Sequence, residues 1–253
     1  MGMIFDSHAH YDDARFDECR DEILGQMQKN NVCGIINCGT DIDTSLFAIS
    51  LANKYDFVYA AVGYHPESVD NGTCFNERHM LKLIKENKVV AIGEIGLDYY
   101  WDTTFKENQI EMFERQLQFA AAHSLPVIIH DREAHADTLQ LIKKHKPNGV
   151  LHCFSGSVEM AKEVVGLGLY IGVGGVVTFK NSKKIVEVIK EIPLERILLE
   201  TDAPYLAPEP FRGKINRSDY IEFVAKKIAE IKNVDYEQVL LQTTENTKKL
   251  FNI

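Results

Sequence analysis

FKENQIEMFERQLQFAAAHSLPVIIH, residues 105–130, sets an amphipathic helix pattern directly before a short apolar run that ends in histidine. Ile110, Phe113, Leu117 and Ala121 recur at helical spacing, and PVIIH (126–130) reads as a buried strand. The same alternation extends over almost the whole chain. Candidate strands are MIFDSH (3–8), CGIINCG (33–39), FVYAAVG (57–63), VVAIGEIG (89–96), PVIIH (126–130), GVLHCF (149–154), LYIGVGG (169–175) and RILLETD (196–202), eight in all. Strands buried on both faces and separated by helices indicate a parallel α/β sheet, and eight such units in 253 residues match a TIM-type (β/α)8 barrel. An open doubly wound sheet is the alternative. No Pro-, Gly- or Ser-rich linker and no internal repeat divides the chain, so residues 1–253 are expected to form a single domain. The tail after Asp235, YEQVLLQTTENTKKLF, reads as one or two short helices.

Hydrophobic residues make up 45% and charged residues 26% of the chain, an ordinary globular composition. Apolar runs such as VIIH (127–130) and ILLE (197–200) are too short to span a bilayer, and the N-terminus has no basic region followed by an apolar one. The expected location is cytoplasmic, with no membrane partner. Cysteines 19, 33, 38, 74 and 153 are odd in number and form no CxxC, which reads as reduced thiols mostly inside the fold. With 37 acidic against 28 basic residues, the chain is not suited to long electrostatic tracking along duplex nucleic acid. A metal centre can nevertheless supply cationic charge at one point.

In a barrel of this kind the chemistry collects at the C-terminal ends of the strands. His8 and His10 close the first run, within FDSHAHYD (5–12), and extended backbone directs both imidazoles to one side. His65 follows the third run, Glu94 lies near the end of the fourth, His130 closes the fifth, His152 lies late in the sixth and Asp202 closes the eighth. His79, His123, His135 and His145 fall instead in helices or at their ends. The strand-end set is an inventory for two divalent ions: His8, His10 and Asp202 for one, His130 and His152 for the other, with Glu94 as bridge. No lysine ends a strand, so a carboxylated lysine is not available for bridging. Glu200, on the Asp202 face one layer deeper, is expected to be a buried support.

The stretches FDSHAHYD, AVGYHPE, AIGEIGLDYY, PVIIHDREA, LHCFSG, YIGVGG and LLETDAPYLAP, in this order, resemble the TatD family of metal-dependent hydrolases in the amidohydrolase superfamily. The resemblance implies a TIM-type barrel with a divalent metal centre that hydrolyses phosphodiesters as a deoxyribonuclease or 3′–5′ exonuclease. It also implies that His8 and His10 bind one metal, that His130 and His152 bind the second, that Glu94 bridges them, and that Asp202 is a ligand that also handles the nucleophilic water. After Leu206-Ala207-Pro208 the chain departs from the family pattern. FRGKINRSD (211–219) keeps Arg212, Gly213 and Asn216 but has Arg217-Ser218 in place of an acidic-proline pair, which bears on loop conformation and substrate fit.

The residues themselves suggest a consistent mechanism. Two ions (Zn, Mg or Mn) per subunit would lower the pKa of a bridging water, and the resulting hydroxide would attack the phosphorus. Asp202 would accept its proton, with Glu94 and His65 completing the catalytic set. His65, Arg132 and Asp98 are the candidates for substrate binding, Arg132 through its bidentate fork and Asp98 by orienting His65 or a ligand. The expected partner is nucleic acid, as single-stranded DNA or DNA ends, with Tyr99, Tyr100, Trp101 and Tyr205 near the mouth available to stack on bases. Two other readings remain open at this point. The same chemistry would serve a carboxyl-ester or amide hydrolase such as a D-aminoacyl-tRNA deacylase, with tRNA as partner, and a barrel missing a ligand would bind without catalysis. The chain is expected to be a monomer or weak oligomer.

Overall fold

A computed structural model describes residues 2–70 and 72–253. Among them eight strands form one parallel sheet in sequential order: β1 (Ile4–Ala9), β2 (Val32–Cys38), β3 (Val58–Val62), β4 (Val89–Asp98), β5 (Val127–Arg132), β6 (Gly149–Leu151), β7 (Tyr170–Val173) and β8 (Ile197–Leu199). Just beyond β8 the sheet closes on itself. Ala203 pairs with Ala9, the Asp202 N–H donates to the His8 carbonyl at 3.0 Å, and the His10 N–H donates to the Ala203 carbonyl at 2.7 Å. This is the (β/α)8 barrel that the sequence predicts, and the open sheet is excluded.

Alternation along the strands divides two apolar layers. Ile36, Ile128, Val150 and Leu198 pack with Phe5 and Cys38 in an inner cluster, while Ile35, Ile129, Leu151 and Leu199 face the helices. The outer layer is covered by α1 (Arg20–Gln26), α2 (Ile42–Lys54), α3 (Glu77–Leu83), α4 (Lys106–Ala122), α5 (His135–His145), α6 (Val158–Gly166), α7 (Lys183–Glu191), α8 (Ile221–Lys232) and α9 (Tyr236–Phe251). Helix α4 buries Met112, Phe113, Leu117 and Ala120, whereas Ala121, read as part of the stripe, is exposed. Two glutamines share that inward face. Gln116 brackets Tyr64, accepting its N–H at 2.8 Å and donating to its carbonyl at 3.0 Å, and Gln109 accepts the Asp98 N–H at 3.0 Å. Both anchor strand ends next to the site.

The tail is one helix of 16 residues, not two short ones. Its polar run misleads because the polar groups are used internally: Thr243 and Thr247 donate to carbonyls one turn back, and Asn246 donates to Leu194 and Ile197 at 2.8 and 2.9 Å. Leu250 and Phe251 at its end join the inner cluster and close the bottom of the barrel. No described helix is long and apolar enough to cross a membrane. All five cysteines are free, with Cys38 buried and Cys74 exposed.

Helix α2 begins with a capping box. Asp41 accepts the Thr44 N–H at 2.8 Å and Thr44 Oγ1 accepts the Asp41 N–H at 2.9 Å. Asp41→Ala removes both the cap and its reciprocal partner's orientation, and is expected to destabilise by ~1 kcal/mol, read as a lower urea midpoint with unchanged slope.

Candidate metal centre

Two irregularities aim the site residues. Strict alternation from Phe5, which faces the barrel interior, would turn His8 outward; the register shift between Asp6 and Ala9 returns it to the inside. Strict alternation from Ile92, which faces the helices, would likewise turn Glu94 outward, and the shift between Ile92 and Ile95 turns it in. Beyond them, Gly96 at φ +147° lets β4 lie against the His130 backbone, where a Cβ would sit 2.8 Å from the carbonyl carbon. His152 stands just past β6, and Asp202 lies three residues past β8 in a left-handed conformation with φ +58°.

Glu94 is the centre of the arrangement. Its Oε2 lies 3.4 Å from His8 Nε2 and 3.2 Å from His10 Nε2, and its Oε1 lies 2.7 Å from His152 Nε2, 2.8 Å from His130 Nδ1 and 3.4 Å from His65 Nε2. Asp202 Oδ1 stands 3.6 Å from both His8 and His10 Nε2. The His8 and His152 rings stack at 3.9 Å, so His152 lies between the two halves. Ligand atoms gather in three groups: His8, His10 and Glu94; His8, His152 and Asp202; His65, Glu94 and His130. All face a cleft of about 900 Å³ at the C-terminal mouth, or lie directly beneath it.

Outer hydrogen bonds fix which nitrogen faces inward. His10 Nδ1 donates to the Cys38 carbonyl at 2.9 Å, leaving the Nε2 lone pair toward Glu94 and toward His8 Nε2, only 3.0 Å away. His130 Nε2 donates to Asp98 Oδ2 at 2.9 Å, leaving its Nδ1 lone pair toward Glu94. His65 differs, since its Nδ1 accepts the Glu67 N–H at 3.2 Å and its proton therefore sits on Nε2, pointing at Glu94. It is a hydrogen-bond donor, within reach of the ligand group but not presenting a lone pair to it.

Lone pairs aimed at a carboxylate and at each other repel unless a proton or a cation stands between them. Burial would lower the His10 and His130 pKa values, but hydrogen bonds and charge from Glu94 with Asp202 and Asp12, and from Asp98 with Glu94, outweigh it and push each up to about 10. His8 is driven well below its ordinary value by burial and by His152, and burial also lowers His65. His152 is raised, because Glu94 and Glu200 outweigh burial. Glu94 is held well below the carboxylate range despite burial by the surrounding imidazoles, whereas burial raises Asp202 in spite of His10 and His152. Convergent imidazole and carboxylate donors with their outer positions already bonded fit divalent cations.

The structure brings His8, His10, Glu94, His130, His152 and Asp202 to one volume. Two expectations change. Asp98, expected in the substrate-binding set through orienting His65 or a ligand, orients the ligand candidate His130 but is itself 2% exposed, and its other oxygen accepts the Tyr100 N–H at 2.9 Å. His152 lies with His8 and Asp202 in one ligand group, as well as 3.2 Å from His130, so the division of ligands into two separate sets is less clean than the spacing suggests. Arg132 lines the cleft, its guanidinium 3.9 Å from the Tyr100 ring centroid and 5.1 Å from that of Trp101. Tyr99 turns away and donates to Asp137. Glu200 is buried as expected, filling the space that Gly172 leaves open and accepting the Cys153 N–H, and burial raises its pKa to about 8.

Sequence reading missed the support behind Asp202. Ser218 donates to Asp6 Oδ2 at 2.6 Å, Thr201 donates to the same oxygen at 2.7 Å, and Asn216 donates to the Thr201 and Tyr205 carbonyls at 2.9 and 2.8 Å. The departure at Arg217-Ser218 is thus absorbed locally, with Ser218 in this buried network and Arg217 paired to Asp219 at 2.6 Å.

A sequence profile described as TatD related DNase matches residues 5–252. The chain is 42% identical to the uncharacterized metal-dependent hydrolase YabD of Bacillus subtilis, over 99% of this chain and 100% of that one. It is 35% identical to the uncharacterized metal-dependent hydrolase YcfH of Escherichia coli, over 99% and 96%. The crystal structure of YjjV, a TatD homologue from Escherichia coli, superposes with a TM-score of 0.93 at 33% identity, covering 99% of this chain and 98% of that one.

Proposed function

The chain belongs to the TatD-related family of metal-dependent hydrolases, and from that premise we propose that it cleaves phosphodiester bonds of DNA, removing nucleotides from single-stranded ends in the 3′–5′ direction. The observation that supports the reading is Glu94, a single anion whose two oxygens face two sets of imidazoles. Such a carboxylate suits a pair of divalent ions (Zn, Mg or Mn), with His8, His10 and Asp202 on one side and His130 and His152 on the other. When bound, the ions polarise a phosphoryl oxygen and bring the pKa of water toward neutrality.

The remaining work falls to the chain. Asp202, the more open of the two carboxylates with its side chain 21% exposed, orients the attacking water and accepts its proton at Oδ1. Arg132, its plane fixed by Tyr100 and Trp101, offers N–H groups along its edge to phosphate oxygens. His65 donates from Nε2 to substrate oxygen or to Glu94, and Trp101, 66% exposed, offers a ring face to a base.

Metal-loaded protein incubated with an end-labelled single strand and, in parallel, with D-aminoacyl-tRNA tests the reading. Stepwise loss from the 3′ end without deacylation is expected; deacylation without nucleotide release overturns it. His65→Ala is expected to keep its full metal content and to lose about 10–10² in kcat/KM, through poorer substrate placement. Elemental analysis beside the rate measurement checks this, and an empty centre after reloading would make His65 a ligand instead.

A further inference from the structure

The loops after β7 and β8 carry charge opposite to that of the molecule. Residues 174–184 hold Lys180, Lys183 and Lys184 and no acid, and residues 203–217 hold Arg212, Lys214 and Arg217 against Glu209 alone, in a chain of net charge −9. Beside them, the loop after β1, whose Asp13 accepts the Tyr205 hydroxyl of the β8 loop at 2.9 Å, has Asp12, Asp13, Asp17 and Glu18 against Arg15, and across the mouth the loop after β3 has Glu67 and Asp70 with no cation before Asn76. The rim is therefore polarised, basic on one side and acidic on the other.

Lys180, Lys183, Lys184, Arg212 and Lys214 are exposed and form no ion pair among the described residues, which leaves them available to an anion but is equally true of Lys29, Lys82, Lys85 and Lys190. Two features separate this strip from an ordinary solvated surface. The first turn of α7 holds Lys183 and Lys184, where every other described α-helix has Asp or Glu. Cations at that position oppose the helix dipole, so helix stability does not account for them. The two loops are also fastened to each other and to the site. The Glu209 N–H donates to Thr178 Oγ1 at 2.9 Å, Arg212 stacks over Phe179 at 4.3 Å, and Val176 and Leu206 from the same loops line the cleft.

We propose that Lys180, Lys183, Lys184, Arg212 and Lys214 form a phosphate-tracking strip, which holds the backbone of a single strand where it leaves the cleft over the β7 and β8 loops. The proposal rests on the reading of the cleft as a phosphodiesterase and adds the path of the strand. Five cations on one side suffice for about two or three phosphates, and the acidic loops after β1, beside the strip, and after β3, across from it, repel a strand that strays from it within about a Debye length.

The test is the affinity of the metal-loaded protein for a labelled single strand of about twelve nucleotides, phosphorothioate throughout so that it is not consumed, followed by anisotropy at rising salt. A slope of log Kd on log salt near 1.5–2 is expected, at about 0.7 per neutralised phosphate. Lys180→Gln/Lys183→Gln/Lys184→Gln should weaken binding about tenfold at low salt and reduce that slope by about one. Arg212→Gln/Lys214→Gln, an independent pair, should move both in the same direction. Lys143→Gln/Lys144→Gln/Lys162→Gln removes equal charge from α5 and α6, away from the loops after β7 and β8, and should stay within about twofold of wild type. Equal weakening by the control, or no weakening by either strip variant, overturns the strip. A strand that binds through the strip yet is never cleaved in its phosphate form would fail the catalytic reading alone. Cleavage with strip-independent binding would fail the strip alone.

Discussion

Asp202→Asn is expected to keep most of its metal and to turn over about 10²–10⁴ more slowly, the usual effect of removing a positioned base. Asparagine has the shape of aspartate, keeps one neutral oxygen at the position 3.6 Å from His8 and His10, and tolerates the left-handed backbone that Asp202 adopts at φ +58°. The bonds that hold the segment are main-chain bonds, Asp202 N–H to the His8 carbonyl and His10 N–H to the Ala203 carbonyl, and the substitution leaves them intact. What it removes is a negative oxygen able to take a proton. Single-turnover cleavage rates beside metal content per chain separate the two effects. Cleavage at the wild-type rate would remove Asp202 from the chemistry, and loss of all metal would make it chiefly a ligand.

The barrel was legible because its strands are buried on both faces and its helices carry regular stripes, two patterns that differ in period and repeat eight times. The candidate site was legible through the position of residues at strand ends. It was not legible through facing parity, since the register shifts in β1 and β4 are what turn His8 and Glu94 inward, and alternation alone would have sent both outward. Asp98 shows the limit of the strand-end rule. It ends β4 like the others, yet its partners His130, Tyr100 and Gln109 come from three places in the sequence, and only the fold shows that the ring it orients is His130 and not His65. Ser218 is harder still, because a serine that bonds an aspartate 212 residues away leaves no local pattern. The basic strip stayed hidden for a similar reason: its cations lie in two separate segments of an acidic chain and become one surface only where the loops after β7 and β8 meet.

Glu94→Gln should fail at an earlier stage than Asp202→Asn, by losing metal before any chemistry is measured. Glu94 is buried, and five imidazoles approach its two oxygens within 2.7–3.4 Å. The amide keeps the shape but carries no charge, and its NH₂ must face one of the two sets. Facing His8 and His10 it competes for the very lone pairs that would bind an ion, and facing His130 and His152 it does the same there. The loss of charge acts on both sides at once, because Glu94 is among the chief influences that raise both His10 and His130. Elemental analysis of the purified and reloaded variant is therefore expected to find about half the wild-type metal or less, with turnover down by about 10³ or more. Adding metal in excess should restore little activity, since the deficit lies in the anion between the sites. A variant that holds the full wild-type complement would show that the histidines and Asp202 suffice, and Glu94 would then have to be reassigned from a bridge between ions to a support that orients His130 and His152.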